Sequence, residues 1–255
     1  MSTLPERLVR YERALLVVPA LVSLACWAWI VVMARDMYGP MTGASAWMMT
    51  PVWDVPHLLL LGSMWTVMMV AMMLPSIAPV LLLYAAAVRG GGADADARSQ
   101  TYALALGYLT MWAVFSVGAT VLQRVLTRQL LLSNMMVLSS STAGAVLLFV
   151  AGAYQVTPLK RTCLHACQSP LAFLMRRWRS GLTGAFRMGL EHGAYCLGCC
   201  WALMLLLFVG GVMNLLVIGV LAAFVVAEKL GWLGPRGARV TGAFLIAIGV
   251  WTALR

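Results

Sequence analysis

The sequence predicts an all-α protein, a polytopic bundle of six or seven transmembrane helices that forms a single integral membrane domain over residues 1–255. Hydrophobic residues make up 62% of the chain and charged residues only 10%. A soluble domain uses about a quarter charged residues to cover its surface. So little charge leaves an apolar outer surface, which is stable when lipid rather than water contacts it.

The first predicted span, over 14–34, is long enough for a bilayer core, which takes about 20 residues. It exceeds the apolar core of a signal peptide, about 7–15 residues, so we expect it to be retained. A loop over 35–57 follows, in which Trp47 and Trp53 are candidates for the aromatic belt at a membrane surface.

The second predicted span, over 58–88, contains Pro75 and Pro79. Proline lacks a backbone N–H and its ring collides with the preceding turn, so we expect a kink or break there. A flexible polar connector over 89–98 separates this span from the third.

The later spans are predicted over 101–122, 142–157, 214–228 and 238–254, with a glycine-rich segment between them. That segment, 181–211, is too long for one untilted crossing, and we expect a short half-helix followed by a full crossing. If 181–214 instead enters and leaves on the same side, the count is six rather than seven.

Basic residues alternate between the two ends of the predicted spans. With seven crossings, one side holds Arg7, Arg10, Arg13, Arg89, Arg98, the cluster 160–179, Lys229, Arg236 and Arg239. The other side holds only Arg35, Arg124, Arg128 and Arg255. Basic residues favour the cytoplasmic side, so the N-terminus is predicted to be cytoplasmic. The net charge of +10 therefore sets topology, and we expect the lipid bilayer rather than nucleic acid as partner.

Five of the six cysteines and two of the three histidines lie between positions 163 and 200. The first group contains Cys163, His165 and Cys167. In a helix, residues four apart lie one turn above the other, so both thiols can reach one ion. Cys26 stands alone in the first span and is expected to pack as a small apolar residue.

The second group contains His192, Cys196, Cys199 and Cys200. At about 100° per residue, these four fall within an arc of about 100° on one helix face. Thiolates and imidazoles are ligands for Cu(I), Zn(II) or iron. Neither spacing matches a zinc finger, so the pattern predicts a soft transition metal without naming it.

Methionine is abundant, with 18 residues in the chain. The second span has two rows spaced by four residues, one of Met64, Met68 and Met72 and one of Trp65, Met69 and Met73. Thioethers in such rows either bind Cu(I) or fill a core. Met72 and Met73 complete the candidate ligand set, and Pro75 is expected to free a backbone carbonyl near them.

Other interpretations of these residues stay open. Cys163 and Cys167 could form a disulfide, although a cytoplasmic position argues against one. Cys199 and Cys200 could simply be small residues in a helix interface with Gly189 and Gly193.

The sequence also suggests roles for the ionisable residues. Glu191 could orient the His192 imidazole. Glu228 and Lys229 end a span and are expected to extend to the headgroups. Asp54 and His57 fall on the opposite side and are left outside the site.

Four blocks in order resemble one family. They are WTVMMVAMMLPS at 65–76, YQVTPLKRTCLHACQSP at 154–170, GLEHGAYCLGCCWALM at 189–204 and GVMN at 211–214. Together they look like the domain-of-unknown-function family numbered 2182, described as predicted metal-binding integral membrane proteins of bacteria. The resemblance implies a multi-span helical fold in the bacterial inner membrane, and it implies no particular reaction.

Three functions fit these observations. The first is metal handling in transport, insertion or delivery, with copper favoured over zinc or iron and with other membrane subunits or a metal chaperone as partners. The second is thiol–disulfide exchange between cysteine pairs. The third is a structural or assembly subunit of a larger membrane complex. The chain has no Gly-x-x-x-x-Gly-Lys loop, His-Glu-x-x-His motif or Gly-x-Ser-x-Gly elbow, so a hydrolase or ATP-driven pump is not expected.

Overall fold

The computed structural model describes residues 4–39, 41–50, 53–90, 96–133 and 135–254. The protein is 83% helical. Within the described residues it has no strand, only an isolated antiparallel bridge between Leu132 and Leu138. The predicted all-α class is confirmed. Residues 91–95 of the predicted connector, and the side chains of Arg7, Arg10 and Arg13, lie outside the described part.

Twelve α-helices are described. They are α1 Leu4–Met37, α2 Ala44–Met48, α3 Val55–Met73, α4 Ala78–Gly90, α5 Ala97–Arg128, α6 Ser141–Gln155, α7 Pro158–Gln168, α8 Pro170–Arg177, α9 Gly181–Met204, α10 Leu207–Gly210, α11 Leu215–Lys229 and α12 Gly234–Ala253. A 3-10 turn, Leu74–Ile77, joins α3 to α4.

Four described segments are long and apolar enough to cross a membrane: Leu16–Met37, Val55–Gly90, Ala97–Arg128 and Gly181–Gly210. A fifth results if α6 and α7 are taken as one span bent by 64°. α11 and α12 cover the last two predicted spans and are not among these candidates. The predicted count of six or seven crossings is therefore not confirmed.

The predicted break at Pro75 is present as the 3-10 turn between α3 and α4. Because Pro75 has no N–H, the Ala71 carbonyl one turn earlier lacks its usual helical donor. Ser23 Oγ and Trp27 Nε1, both from α1, donate to this carbonyl at 3.2 and 3.1 Å. The bend between α3 and α4 thus becomes a point of attachment for α1.

The glycine-rich segment forms one continuous helix, α9, and not a half-helix followed by a crossing. Its break comes at 205–206, before the short α10. A bend of 64° lies instead between α6 and α7, where Pro158 begins a new helix. Glycine lowers helix propensity, and packing of α9 against α5 maintains the helix despite it.

Glycines allow the backbones of α5 and α9 to approach closely. A Cβ at Gly107 would collide with the Phe186 carbonyl, and one at Gly189 would collide with the Leu104 carbonyl. A Cβ at Gly193 would lie 2.9 Å from Met111 Cβ. Small residues at a helix interface allow this kind of contact. The predicted packing role of Gly189 and Gly193 is confirmed.

A buried ion pair joins α7 to α11. Lys160 Nζ donates to Glu228 Oε2 at 2.7 Å, and the two side chains are 1% and 3% exposed. Lys160 also donates to the side-chain oxygen of Gln155, and Gln168 Nε2 donates to the Glu228 carbonyl at 2.7 Å. The expectation that Glu228 and Lys229 extend to the headgroups is wrong, because both are buried among neighbouring helices.

We expect Gly107→Ala to destabilise the protein by about 1–3 kcal/mol, because its Cβ would force apart the backbones of α5 and α9. Gly118→Ala, on the same helix, is the matched control because its Cβ meets nothing within 4 Å. It should leave stability unchanged or raise it by up to about 1 kcal/mol. Thermal unfolding of the purified protein in detergent measures both, and equal midpoints would contradict the close approach.

We expect Lys160→Met to cost about 3–5 kcal/mol, because it leaves the Glu228 carboxylate buried without its partner. Adding Glu228→Gln should recover part of this loss by removing the unpaired charge. Arg179→Met is the control, since its pair with Glu191 has side chains 41% and 28% exposed and should contribute less than about 1 kcal/mol. Similar unfolding midpoints for Lys160→Met and Arg179→Met would refute the role of the buried pair.

Candidate metal centre

Four cysteine thiols from two helices form a contiguous sulfur cluster. Cys167 of α7 lies within hydrogen-bonding reach of Cys196 and Cys199 of α9, and Cys200 lies within reach of the same two thiols. The three thiols on α9 are at most 1% exposed. The Cys199 and Cys200 thiols also donate to the Cys196 carbonyl, at 3.1 and 2.9 Å. The structure therefore brings these four predicted residues together.

Cys163 lies one turn before Cys167 on α7 and is partly buried beside the sulfur cluster. Its Sγ packs against Gly198, where an added Cβ would lie 2.7 Å from the sulfur. Tyr154 Oη donates to the Gly198 carbonyl and ties α6 to this part of α9. α7 therefore presents both of its thiols to α9.

His165 is on the other face of α7. Two residues beyond Cys163, its side chain is rotated by about 200° around the helix. It is exposed and lines two surface cavities of about 220 and 370 Å³, neither of which is lined by a cysteine. The structure does not bring this predicted ligand to the sulfur cluster.

His192 is buried one turn before Cys196 on α9. Its ring packs between those of Phe173 and Tyr108, with centroid distances of 4.9 and 5.9 Å. Its Nδ1 has no hydrogen-bond partner. A buried polar atom without a partner is costly, and an imidazole nitrogen in this position is available to a ligand.

Lys229, at the end of α11, reaches the sulfur cluster. Its Nζ lies 2.8 Å from Cys196 Sγ, 2.9 Å from Ser76 Oγ and 3.8 Å from Met73 Sδ. Tyr108 Oη lies 3.0 Å from the same Cys196 Sγ. One sulfur thus meets an ammonium and a phenol, both buried.

The break at Pro75 supplies the remaining polar contacts. The Met73 carbonyl accepts from Ser76 Oγ at 2.7 Å and from Tyr108 Oη at 3.1 Å. Of the two predicted methionines, Met73 reaches the site through its thioether, whereas Met72 packs in the apolar core.

Sequence reasoning missed Ser76, Tyr108 and Lys229. Ser76 directly follows Pro75 and the candidate Met73, which was a usable signal for a polar group beside the break. A lysine at the end of an apolar run gives the same sequence pattern whether its side chain extends to the headgroups or packs among the helices. The burial of Lys229 is therefore a property of the packed helices.

Glu191, Asp54 and His57 are not part of the sulfur cluster. Glu191 pairs with Arg179 at 2.7 Å, so it does not orient His192 as proposed from the sequence. Asp54 caps α3 by accepting from the His57 backbone N–H. His57 precedes Met73 by 16 residues on α3, about 24 Å along a helix axis. Both stay outside the site, as expected.

The donor types suit a soft cation, although the side chains are not arranged as a coordination sphere. Among the described residues, no group of three or more His, Cys, Asp or Glu stands in metal-holding geometry. The thiols instead contact one another, a helix carbonyl and Lys229. Thiol, thioether and imidazole are soft or borderline ligands that fit Cu(I). A bound ion would replace these hydrogen bonds with coordination bonds.

Comparison with known proteins bears on this donor set. Residues 62–252 match the PpoB2 family, which is described as a copper chaperone. This is a different family from the numbered one that the motifs resemble, and it points to copper. Neither curated proteins nor solved structures give a significant match. The matched range contains the sulfur cluster, His192, Met73 and Lys229, and the chain belongs to the PpoB2 copper chaperone family.

Proposed function

We propose that this protein is a membrane-embedded chaperone that holds Cu(I) as cargo at the sulfur cluster and delivers it to a partner. The observation that carries this proposal is the meeting of four cysteine thiols from α7 and α9, one turn along α9 from the buried His192, whose Nδ1 has no partner. Membership of the PpoB2 family supports copper as the cargo.

Cu(I) is favoured by the chemistry of the donors. Thiolate and thioether sulfurs prefer Cu(I), whereas hard cations prefer oxygen ligands. Zinc would also accept thiolates and imidazole, usually as four ligands in tetrahedral geometry. The Met73 thioether near Cys196 favours copper over zinc, because a thioether is a soft ligand.

The position of the cysteines suggests a direction for the cargo. Cys163 and Cys167 are partly buried, and Cys167 lines an open cavity of about 340 Å³ together with Ser76, Gln168 and Lys229. Cys196 is fully buried behind them. Because neighbouring sulfurs lie within reach of one another, a Cu(I) ion entering by the cavity can pass from α7 to α9 by ligand exchange.

The proposal places the chain in the bacterial inner membrane with a cytoplasmic N-terminus. The apolar segments Leu16–Met37, Val55–Gly90, Ala97–Arg128 and Gly181–Gly210 support membrane embedding. Cys196 lies near the middle of the last of these, so the cargo site would lie within the bilayer thickness. A partner that receives copper would be a membrane subunit or another metal chaperone.

Thiol–disulfide exchange is the second candidate, because Cys167 and Cys196 are in contact across two helices. Exchange requires a thiolate that another thiol or disulfide can reach. Redox-dependent alkylation of the purified protein tests it: labelling of the clustered cysteines that stays the same after oxidation and after reduction excludes this function.

We expect the reduced, purified protein to bind Cu(I), and Cys196→Ser to weaken that binding at least about tenfold by removing a ligand. Cys26→Ser is the control, since Cys26 lies on α1 outside the sulfur cluster. Competition with bicinchoninate, supported by elemental analysis, measures the affinity. Equal affinities of Cys196→Ser and the unaltered protein would contradict the site.

The two histidines between positions 163 and 200 provide a second matched pair. We expect His192→Ala to weaken Cu(I) binding about tenfold, since the buried imidazole nitrogen is available to the ion. His165→Ala should leave the affinity unchanged, because its ring lies on the exposed face of α7. The same competition measurement decides, and a larger effect of His165→Ala would show that the structure assigns the wrong histidine.

A further inference from the structure

Lys229 is a buried cation whose close partners are the donors expected for copper. Its side chain is 7% exposed, and its ammonium contacts Cys196 Sγ, Ser76 Oγ and Met73 Sδ. The adjacent Glu228 is directed to Lys160. Among the described residues, no carboxylate lies within ion-pair distance of Lys229.

A buried ammonium requires a compensating negative charge, because removing it from water is costly. The sulfur of Cys196, as a thiolate, is the group placed to supply that charge at 2.8 Å. A thiolate with Lys229 beside it is electrically neutral as a pair. A thiolate with Cu(I) bound to it is neutral in the same way.

Once Cu(I) compensates the single negative charge of this sulfur, the sulfur attracts a second cation only weakly, and the two cations repel each other in a buried site. We propose that Lys229 and Cu(I) exclude each other at Cys196, so that loading the cargo displaces the lysine side chain. In this step the Cys196 Sγ–Cu bond forms as the bond between Cu(I) and the sulfur ligand that carried it breaks, and the Lys229–Cys196 contact is lost. The ammonium keeps its proton, and the thiolate has one positive charge beside it before and after the exchange. This inference rests on the proposed copper function.

The cavity beside the site gives the lysine a place to go. It is about 340 Å³ and is lined by Ser76, Cys167, Gln168 and Lys229 itself. A rotation of the flexible lysine side chain about its own bonds moves the ammonium from the sulfur into this open space. Since Cys167 lines the same cavity, arriving copper and departing ammonium use one opening.

The exchange has a consequence for delivery. When copper leaves, Lys229 returns to Cys196 and stabilises the thiolate that the ion has left. The lysine thereby lowers the net affinity of the sulfur cluster for its cargo. A chaperone must release copper as well as bind it, and a tethered competing cation meets that requirement without a second ligand.

Chemical labelling of lysines tests the displacement directly. The full-length protein in detergent is treated with an acetylating reagent, with and without one equivalent of Cu(I), and each lysine is quantified by mass spectrometry. We expect labelling of Lys229 to rise severalfold with Cu(I). Lys160 is the internal control, because it is also buried but paired with Glu228, and its labelling should not change.

Affinity measurements give an independent readout. Lys229→Leu removes the competing cation without adding a sulfur ligand, so Cu(I) binding should become tighter, whereas Lys229→Arg keeps a cation and should stay close to the unaltered protein. Weaker binding by Lys229→Leu would overturn the inference, as would unchanged Lys229 labelling in protein that demonstrably binds Cu(I). Failure of the unaltered protein to bind Cu(I) would instead reject the proposed function. If Lys229→Leu does not fold, the labelling of the unaltered protein still decides.

Discussion

A buried positive charge has to meet a negative one, and in this protein the ammonium of Lys229 meets the sulfur of Cys196. That contact joins the end of α11 to the middle of α9. Ser76 and Tyr108 surround it and bring the bend after α3 and the helix α5 to the same point. Four separate segments of the chain thus meet around this contact, and the candidate copper site is a product of that convergence.

Two adjacent residues at the end of α11 serve different neighbours. Consecutive helical residues point about 100° apart, so Glu228 reaches Lys160 on α7 while Lys229 reaches Cys196 on α9. α7 and α9 are the two helices that carry the clustered thiols. The ion pair therefore helps to hold the thiol-bearing faces together, and its loss would disturb the site as well as the fold.

Proline and glycine contribute to the site through the backbone. Pro75 ends α3, which leaves the Ala71 carbonyl to donors on α1 and places Ser76 beside the Met73 carbonyl. Gly107 and Gly189 let α5 and α9 approach until their backbones nearly touch. This approach brings Tyr108 within 3.0 Å of the Cys196 sulfur, a distance that bulkier residues at the two glycines would not permit.

The sequence by itself determined the features that depend on local composition and spacing. An apolar, weakly charged chain implied helices, proline implied the break at Pro75, and helical periodicity grouped His192 with Cys196, Cys199 and Cys200. The same periodicity separates His165 from Cys163 and Cys167, although counting residue types alone had grouped them. Only the tertiary structure decided that Lys229 turns inward, that Met73 rather than Met72 meets the site, and that the sharp bend lies between α6 and α7. Lys229 and Met73 are 156 positions apart, and contacts over such separations arise from how helices pack, which no local pattern specifies.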